Sequence, residues 1–437
     1  MARHRRFPTL GVFLNGRRVG QLRRALSGAI DFQYDPSWLS WDRALPVSLS
    51  LPLREDRYIG DDVIAVFDNL LPDNDAIRKR IAGHVRADGI DAYSLLAALG
   101  RDCVGALQFL VGDDEPGIAG SVRGAPVSDE DIAEILSHLV TAPLGIQDDD
   151  DFRISIAGAQ EKTALLKFEG RWMKPLGTTA TTHIFKPQIG KLNSGIDLSH
   201  SVENEYFCLK LTKALGLPTA EVEMGQFADR TVLIVERFDR LWTGDGRLLR
   251  LPQEDCCQAL SVPSTRKYEK DGGPGILEIS RLLAGGDEGL ADQRAFLKTV
   301  ILFWLLGATD GHAKNFSLSL FPAGGYRMTR LYDILSAQPY VDAGQIRRNR
   351  MRLAMAVGTH RHYEIDTIVP RHFVQMAPDI GISQATVLDI FNALQATGSA
   401  ALDKTLAELP AGFPAYIANS IADGFRLRLA QLADLET

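Results

Sequence analysis

The chain has 437 residues, of which 45% are hydrophobic and 24% charged, an ordinary globular composition with length for two or three domains. A formal net charge of -7 argues against bulk affinity for phosphate backbones, and only the opening MARHRRF is locally basic. The longest apolar run, VILFWLLGA, is too short to cross a bilayer, and no apolar h-region follows the basic start, so a soluble chain without a secretory signal is expected. Cys103, Cys208, Cys256 and Cys257 form no C-x-x-C pair and have no neighbouring His at ligand spacing, so neither a zinc site nor a disulfide framework is indicated, which suits a reducing cytoplasm.

In VFLNGRRVGQL, two short apolar-bearing runs flank Asn15-Gly16, which predicts a two-residue hairpin and an N-terminal sheet. Helical spacing begins at residue 61 and runs through DDVIAVFDNLLPDNDAIRKRIA; DAYSLLAALG then closes with Gly100 placed at C′. The strand-like CVGALQFLVG and a helix near 128–140 follow. The acidic QDDDD at 147–151 reads as a solvated linker, so residues 1–146 form a first domain of α/β type with a mixed sheet. Beyond it, FRISIAGAQEKTALLKF, WMKPLG and THIFKP read as strands, VENEYFCLKLTKALGLP as a helix closed by Gly216 and Pro218, and TAEVEMGQF and RTVLIVERFDR as two further strands. This second region spans 147–240, and the third, 241–437, is mainly helical.

The chemistry starts in GATDGHAKNFS, where Gly307 ends a greasy helix and leaves Asp310 and Asn315 in an irregular loop. D-x-x-x-x-N is the spacing at which phosphoryl-transfer loops hold an Asp on the acceptor hydroxyl and an Asn on Mg2+. A carboxylate can orient the hydroxyl or take its proton, while a neutral amide oxygen offers Mg2+ a hard ligand without adding charge beside phosphates. Alone, the spacing is a weak signal and reads first as a helix C-terminal turn with an Asx cap.

Asp333, after an apolar strand-like stretch in RLYDILSA, is placed as a second Mg2+ carboxylate, or else simply begins a turn. Lys186, at the end of an alternating strand closed by Pro187, is the candidate for the α/β-phosphates, with Glu203 and Glu205 both available to pair with it. In SIAGAQEKT, small residues join two strands so that backbone N–H groups can approach phosphates; neither a Walker A loop nor the glycine-rich kinase loop is present. Alternation in RISIA sets Ile154 and Ile156 on one face and Ser155 on the other, exposed or facing the nucleotide. Glu236 and Phe238 lie where a buried strand turns polar, the position of a connector that meets adenine. The order phosphate loop, lysine strand, glutamate helix, connector, D-x-x-x-x-N, second Asp is the kinase order.

These segments, with THIFKP, NEYFCLKL, VERFDR, RLPQEDCCQA, KYEKDGGPGI, YDILSA and the N-terminal FDNLLPDN and GRDCVGALQ, resemble the HipA family of bacterial serine/threonine kinase toxins over essentially the full chain. The resemblance implies an α+β, bilobal protein-kinase-like fold using ATP and Mg2+. It makes Asp310 the catalytic base, supported by Gln253 and His312, and Asn315 and Asp333 the metal ligands. ATP would meet Lys186, the loop Ala157, Gly158, Ala159, Gln160, Glu161, Lys162 and Thr163, and His312, with Glu236 and Phe238 at adenine. It makes Ser155 an autophosphorylation site whose added charge, about -1.5 to -2, silences the enzyme by displacing the loop from the ATP phosphates.

The implied partners are a HipB-like helix-turn-helix antitoxin and a protein substrate of the translation machinery, glutamyl-tRNA synthetase in the best-known case, with growth arrest and persistence as outcome. The segment 375–389 matches the family pattern less well and carries few basic residues, so operator DNA would be met mainly through the antitoxin. Two rivals are a small-molecule kinase of the aminoglycoside-phosphotransferase type and a catalytically silent corepressor.

Overall fold

The computed structural model describes residues 7–146, 152–158 and 160–434. They fall into two compact units: Pro187 and the residues before it with Gly225–Thr265 and Leu318–Tyr326, and Gln188–Met224 with Arg266–Ser317 and the residues from Arg327 onward. The acidic linker expected at 147–151 lies outside the described residues.

The first unit opens with a hairpin between Leu10–Leu14 and Arg17–Arg24. Asn15 and Gly16 have φ of 45° and 83°, the paired left-handed conformations a tight two-residue turn demands. The five-stranded sheet runs Tyr58–Ile59, Ile30–Tyr34, Arg17–Arg24, Leu10–Leu14, Leu107–Val111. It is antiparallel throughout, not mixed as expected. The first strands follow one another through short links, and the long return through Asp61–Asp68, Asp75–His84 and Ala92–Leu99 delivers Leu107–Val111 against Leu10–Leu14 in the opposite sense.

Alternate residues Leu10, Val12, Leu22 and Phe32 turn inward, and Phe67 bridges Phe32 and Phe109 at ring separations of 5.4 and 5.6 Å. Gly100 caps its helix at φ -70° and is not the left-handed C′ residue expected. A Cβ there would lie 2.6 Å from the Leu96 carbonyl oxygen and 2.7 Å from the Phe109 Cβ, so close packing, not turn geometry, requires glycine.

A second sheet has the order Val222–Phe227, Arg230–Glu236, His183–Pro187, Thr163–Phe168, Arg171–Pro175, Gly124–Pro126. The helix Asp129–Ser137, started by a Ser128/Asp131 capping box, packs Ile132, Ile135 and Leu136 with Leu165, Phe185 and Ile234. Residues 152–158 form no strand; their backbone ladder contacts are single bridges, Asp102 to Ile154 and Pro72 to Gly158.

In the second unit, Gly289–Leu306 is buried along its C-terminal half, where Phe296, Phe303 and Trp304 meet Phe316 and Phe373. It stops at Gly307, φ 67°, and the Ala308 N–H donates back to the Phe303 carbonyl at 2.8 Å. Ser201–Ala214, Ile276–Ala284, Gln384–Ala407 and Ala415–Gln431 complete the helical framework, with a short hairpin of Arg352–Val357 and His362–Glu364. Among the described residues, no helix is long and apolar enough to cross a membrane.

Candidate active site

The loop after Gly307 is held at both ends. Ala308 bridges Ser336, whose hydroxyl donates to the Leu306 carbonyl at 2.6 Å. Asn204, buried on the helix Ser201–Ala214, grips Ser336 twice: its Oδ1 accepts from the Ser336 N–H and its Nδ2 donates to the Ser336 carbonyl, both at 2.8 Å. Asn204 thus explains why NEYFCLKL and YDILSA belong together. Between these anchors Asp310 is exposed.

The Asp310 Oδ1 accepts a 2.6 Å hydrogen bond from the Tyr268 hydroxyl. Tyr268 also sets its ring edge-on to buried His312, with centroids 4.9 Å apart. The His312 N–H donates to the Asp310 carbonyl at 2.8 Å, and the His312 carbonyl accepts from the Asn315 N–H at 2.9 Å, closing a turn over Ala313–Asn315. The sequence assigns Tyr268, in KYEKDGGPGI, no task. The only available signal was an aromatic hydroxyl in a polar motif.

Asn315 and Asp333 come together: the Asn315 Nδ2 donates to the Asp333 carbonyl at 3.4 Å. The Asn315 Oδ1 is buried and accepts no hydrogen bond among the described residues. A buried amide oxygen left in that state is costly, and a hard cation is one of the few partners that would satisfy it. Asp333 sits at φ 59°, strained for a residue with a Cβ, and in irregular chain rather than at a strand end as expected. The Tyr332 hydroxyl donates to the Lys314 carbonyl at 2.8 Å and lies 2.6 Å from the Ser317 Oγ, tying this segment to the loop.

In the first unit Lys186 is buried in His183–Pro187, opposite Leu233. Gly158 has φ 109°, and Lys162 folds back over it, its Nζ donating to the Ala157 carbonyl at 2.8 Å. Gln160 Nε2 donates to the Pro187 carbonyl at 2.8 Å, and Glu161 pairs with Arg80. The Thr163 hydroxyl donates inward to the Leu144 carbonyl at 2.6 Å. Ala159 lies outside the described residues.

Ser155 is fully buried, which corrects the expectation of an exposed or cleft-facing side chain. Two-fold alternation presupposes a half-buried strand, whereas this segment is irregular and Ile154 and Ile156 are buried as well. The Ser155 hydroxyl donates to the Leu70 carbonyl at 2.8 Å, and the Asp73 N–H donates to the Gly158 carbonyl at 3.2 Å, so FDNLLPDN is the seat of the loop. Asp68 and Arg78, paired at 2.6 Å, brace that seat, with Arg78 Nε also donating to the Pro72 carbonyl.

Gln253 starts the strand Gln253–Asp255; its Oε1 is buried and accepts no hydrogen bond among the described residues. A Cβ at Gly105 would lie 2.7 Å from the Gln253 carbonyl oxygen. Glu236 is exposed and Phe238 half-buried, whereas Arg237 and Asp239 between and beside them are buried. On the helix of the second unit, Glu203 accepts from Gln188 Nε2 at 2.7 Å and faces His200 at 3.4 Å; Glu205 is buried.

A sheet unit carrying a strand lysine and a helical unit carrying an Asp-x-x-x-x-Asn loop define a protein-kinase-like α+β protein. A HipA-like C-terminal domain model matches residues 154–401 and a HipA N-terminal domain model matches 10–110. The chain belongs to the HipA family. It is 36% identical to the putative kinase Y4mE of Sinorhizobium fredii over 80% of each chain. It is 28% identical to the serine/threonine-protein kinase toxin HipA of Shewanella oneidensis over 80% of this chain and 78% of that one. The fold resembles a chain of the solved Shewanella oneidensis complex of HipA, HipB and operator DNA, with TM-score 0.81, 23% identity and coverage of 98% and 99%.

Proposed function

We propose that the protein is an ATP- and Mg2+-dependent serine/threonine protein kinase and the toxin of a type II toxin–antitoxin pair. The observation that carries this is the loop around Asp310: an exposed carboxylate oriented by Tyr268, beside a buried amide oxygen on Asn315 with no hydrogen-bond partner among the described residues. Asp310, oriented by Tyr268, would accept the proton of a serine or threonine hydroxyl. Asn315 and Asp333 would hold the metal, whose chemistry is to offset charge on the transferred phosphoryl group. Among the described residues no cluster of three or more His, Cys, Asp or Glu is arranged for a metal, so its remaining ligands would be phosphate and water oxygens.

Lys186 would hold the α/β-phosphates and the backbone of the 157–163 loop would cover them, with His312 and Gln253 supporting the centre and Glu236 and Phe238 at adenine. Ser155 would be the autophosphorylation site, and a translation component such as glutamyl-tRNA synthetase the protein substrate, with growth arrest and persistence following. A HipB-like antitoxin is the proposed partner, carrying most of the operator contact; the similar solved chain was captured with HipB and DNA. The cytoplasm is the proposed location.

Incubation with labelled ATP and Mg2+ tests the reading. Wild type should acquire label on Ser155, and Asp310→Ala should lower the rate at least about 100-fold, the usual loss of a general base. It should also relieve growth inhibition. Transfer only to a small amino alcohol would establish the aminoglycoside-type rival, and unchanged toxicity of Asp310→Ala would establish the silent corepressor.

A further inference from the structure

Four buried charged side chains gather with a fifth, the Asp102 carboxylate, in the first unit. The Asp102 Oδ1 accepts from Arg240 Nη2 and Arg250 Nε, both at 2.9 Å. Its Oδ2 accepts from the Thr181 N–H at 3.0 Å, the Thr181 hydroxyl at 2.8 Å and Arg237 Nη1 at 3.4 Å. Asp239 completes the cluster, accepting from Arg237 Nη2 and the Gly105 N–H at 2.7 Å each. All five are buried, and two carboxylates against three guanidiniums leave one positive charge inside. Burial works to raise the Asp102 carboxyl, but Arg240, Arg250 and Arg237 hold it well below the usual carboxylate range.

Such networks add little net stability over an apolar core, yet they enforce one arrangement, because a member that leaves strands a buried charge. What this one arranges is specific. Arg237, Asp239 and Arg240 lie within the connector, interleaved with Glu236 and Phe238. The Cys103 carbonyl accepts from Arg237 Nη2 at 2.8 Å and Arg240 Nη2 at 3.0 Å, so the connector is clamped to the loop 101–105. The main chain of the same Asp102 holds the other element: its carbonyl accepts from the Ser155 N–H at 2.9 Å.

We propose that Asp102 is a positioning residue that couples the connector to the Ser155 segment, so that nucleotide held at the connector tightens the seat of Ser155. The proposal rests on the kinase reading above and adds the residue through which the adenine end and the regulatory serine communicate. Coupling of this kind is reciprocal: a tighter Ser155 seat favours nucleotide as much as nucleotide favours the seat.

Amide hydrogen exchange of the peptide spanning 152–158, with and without a non-hydrolysable ATP analogue and Mg2+, tests it on the full-length protein. In wild type the analogue should slow exchange at Ser155 at least about fivefold, the lower end of ordinary coupling. Asp102→Asn combined with Arg250→Gln removes one charge of each sign. It should raise KM for ATP more than it lowers kcat, and abolish the nucleotide-dependent slowing while nucleotide still binds. Should that variant not fold, Thr181→Val removes a hydroxyl shared by Asp102 and Arg237 without touching charge, and should at least halve the slowing. Wild-type slowing in a folded, nucleotide-bound variant, or none in nucleotide-bound wild type, would overturn the coupling. Absence of nucleotide binding by wild type would overturn the kinase reading itself, and is told apart because binding is measured separately.

Discussion

Tyr268 and Asp333 show how single residues prepare the loop. Tyr268 donates to one oxygen of Asp310, which orients the carboxylate. Losing a hydrogen bond to a charged group costs about 1.5 kcal/mol in a partly exposed setting, or roughly tenfold in rate. Tyr268→Phe, which keeps the ring against His312, should therefore lower kcat about tenfold with KM for ATP nearly unchanged; steady-state kinetics against both substrates would show an equal loss in kcat and kcat/KM for the acceptor. Asp333 holds a left-handed backbone that most residues with a Cβ avoid at a cost of about 1–2 kcal/mol. That strain had no counterpart in the local sequence, where YDILSA reads simply as an extended run. The Tyr268 contact was hidden for a different reason: its partner lies 42 residues away, beyond any periodicity.

At the scale of elements, the strand Gln253–Asp255 carries a buried acid whose role is visible only in three dimensions. Burial pushes the Glu254 carboxyl up to about 8, against the opposing hydrogen bonds from the Ser48 hydroxyl and the Leu49 N–H. A folded pKa raised above the ordinary 4.5 means that this group's contribution is full below about pH 4.5 and is lost as pH rises through 8. Thermal melts should accordingly show stability falling between pH 5 and pH 8.5, and Glu254→Gln should flatten that slope; an unchanged slope would place the loss elsewhere. Elements announced by local chemistry were legible: the Asn15-Gly16 hairpin, the helix near 128–140, and the Gly307 stop of the helix before the Asp310 loop. Those shaped by packing were not. RISIA looked like a strand because its apolar residues alternate, but burial on all sides removes the meaning of alternation.

For the whole molecule, ligand binding supplies the broadest check. A nucleotide at 100 times its Kd adds about 2.7 kcal/mol to the stability of the state that binds it. Mg2+ with the ATP analogue should raise the melting temperature of wild type, and Lys186→Met should abolish the rise relative to the unliganded variant; a full rise in the variant would remove Lys186 from the nucleotide site. The order of elements on which the kinase reading rests could be laid out along the chain because each carries its own short signature. The Asp102 cluster was not, since its members are drawn together from positions up to 148 residues apart.

The depth of Ser155 has a consequence for time. A side chain with no exposure, hydrogen-bonded to Leu70, cannot be modified where it stands, so any phosphorylation there must wait for the segment to come loose. If that opening costs about 4 kcal/mol, only about one molecule in a thousand offers the serine at any instant. Self-silencing would then run on a clock set by how often the fold opens, slower than the enzyme's attack on other proteins, and the protein would act on its targets for a definite interval before closing itself down.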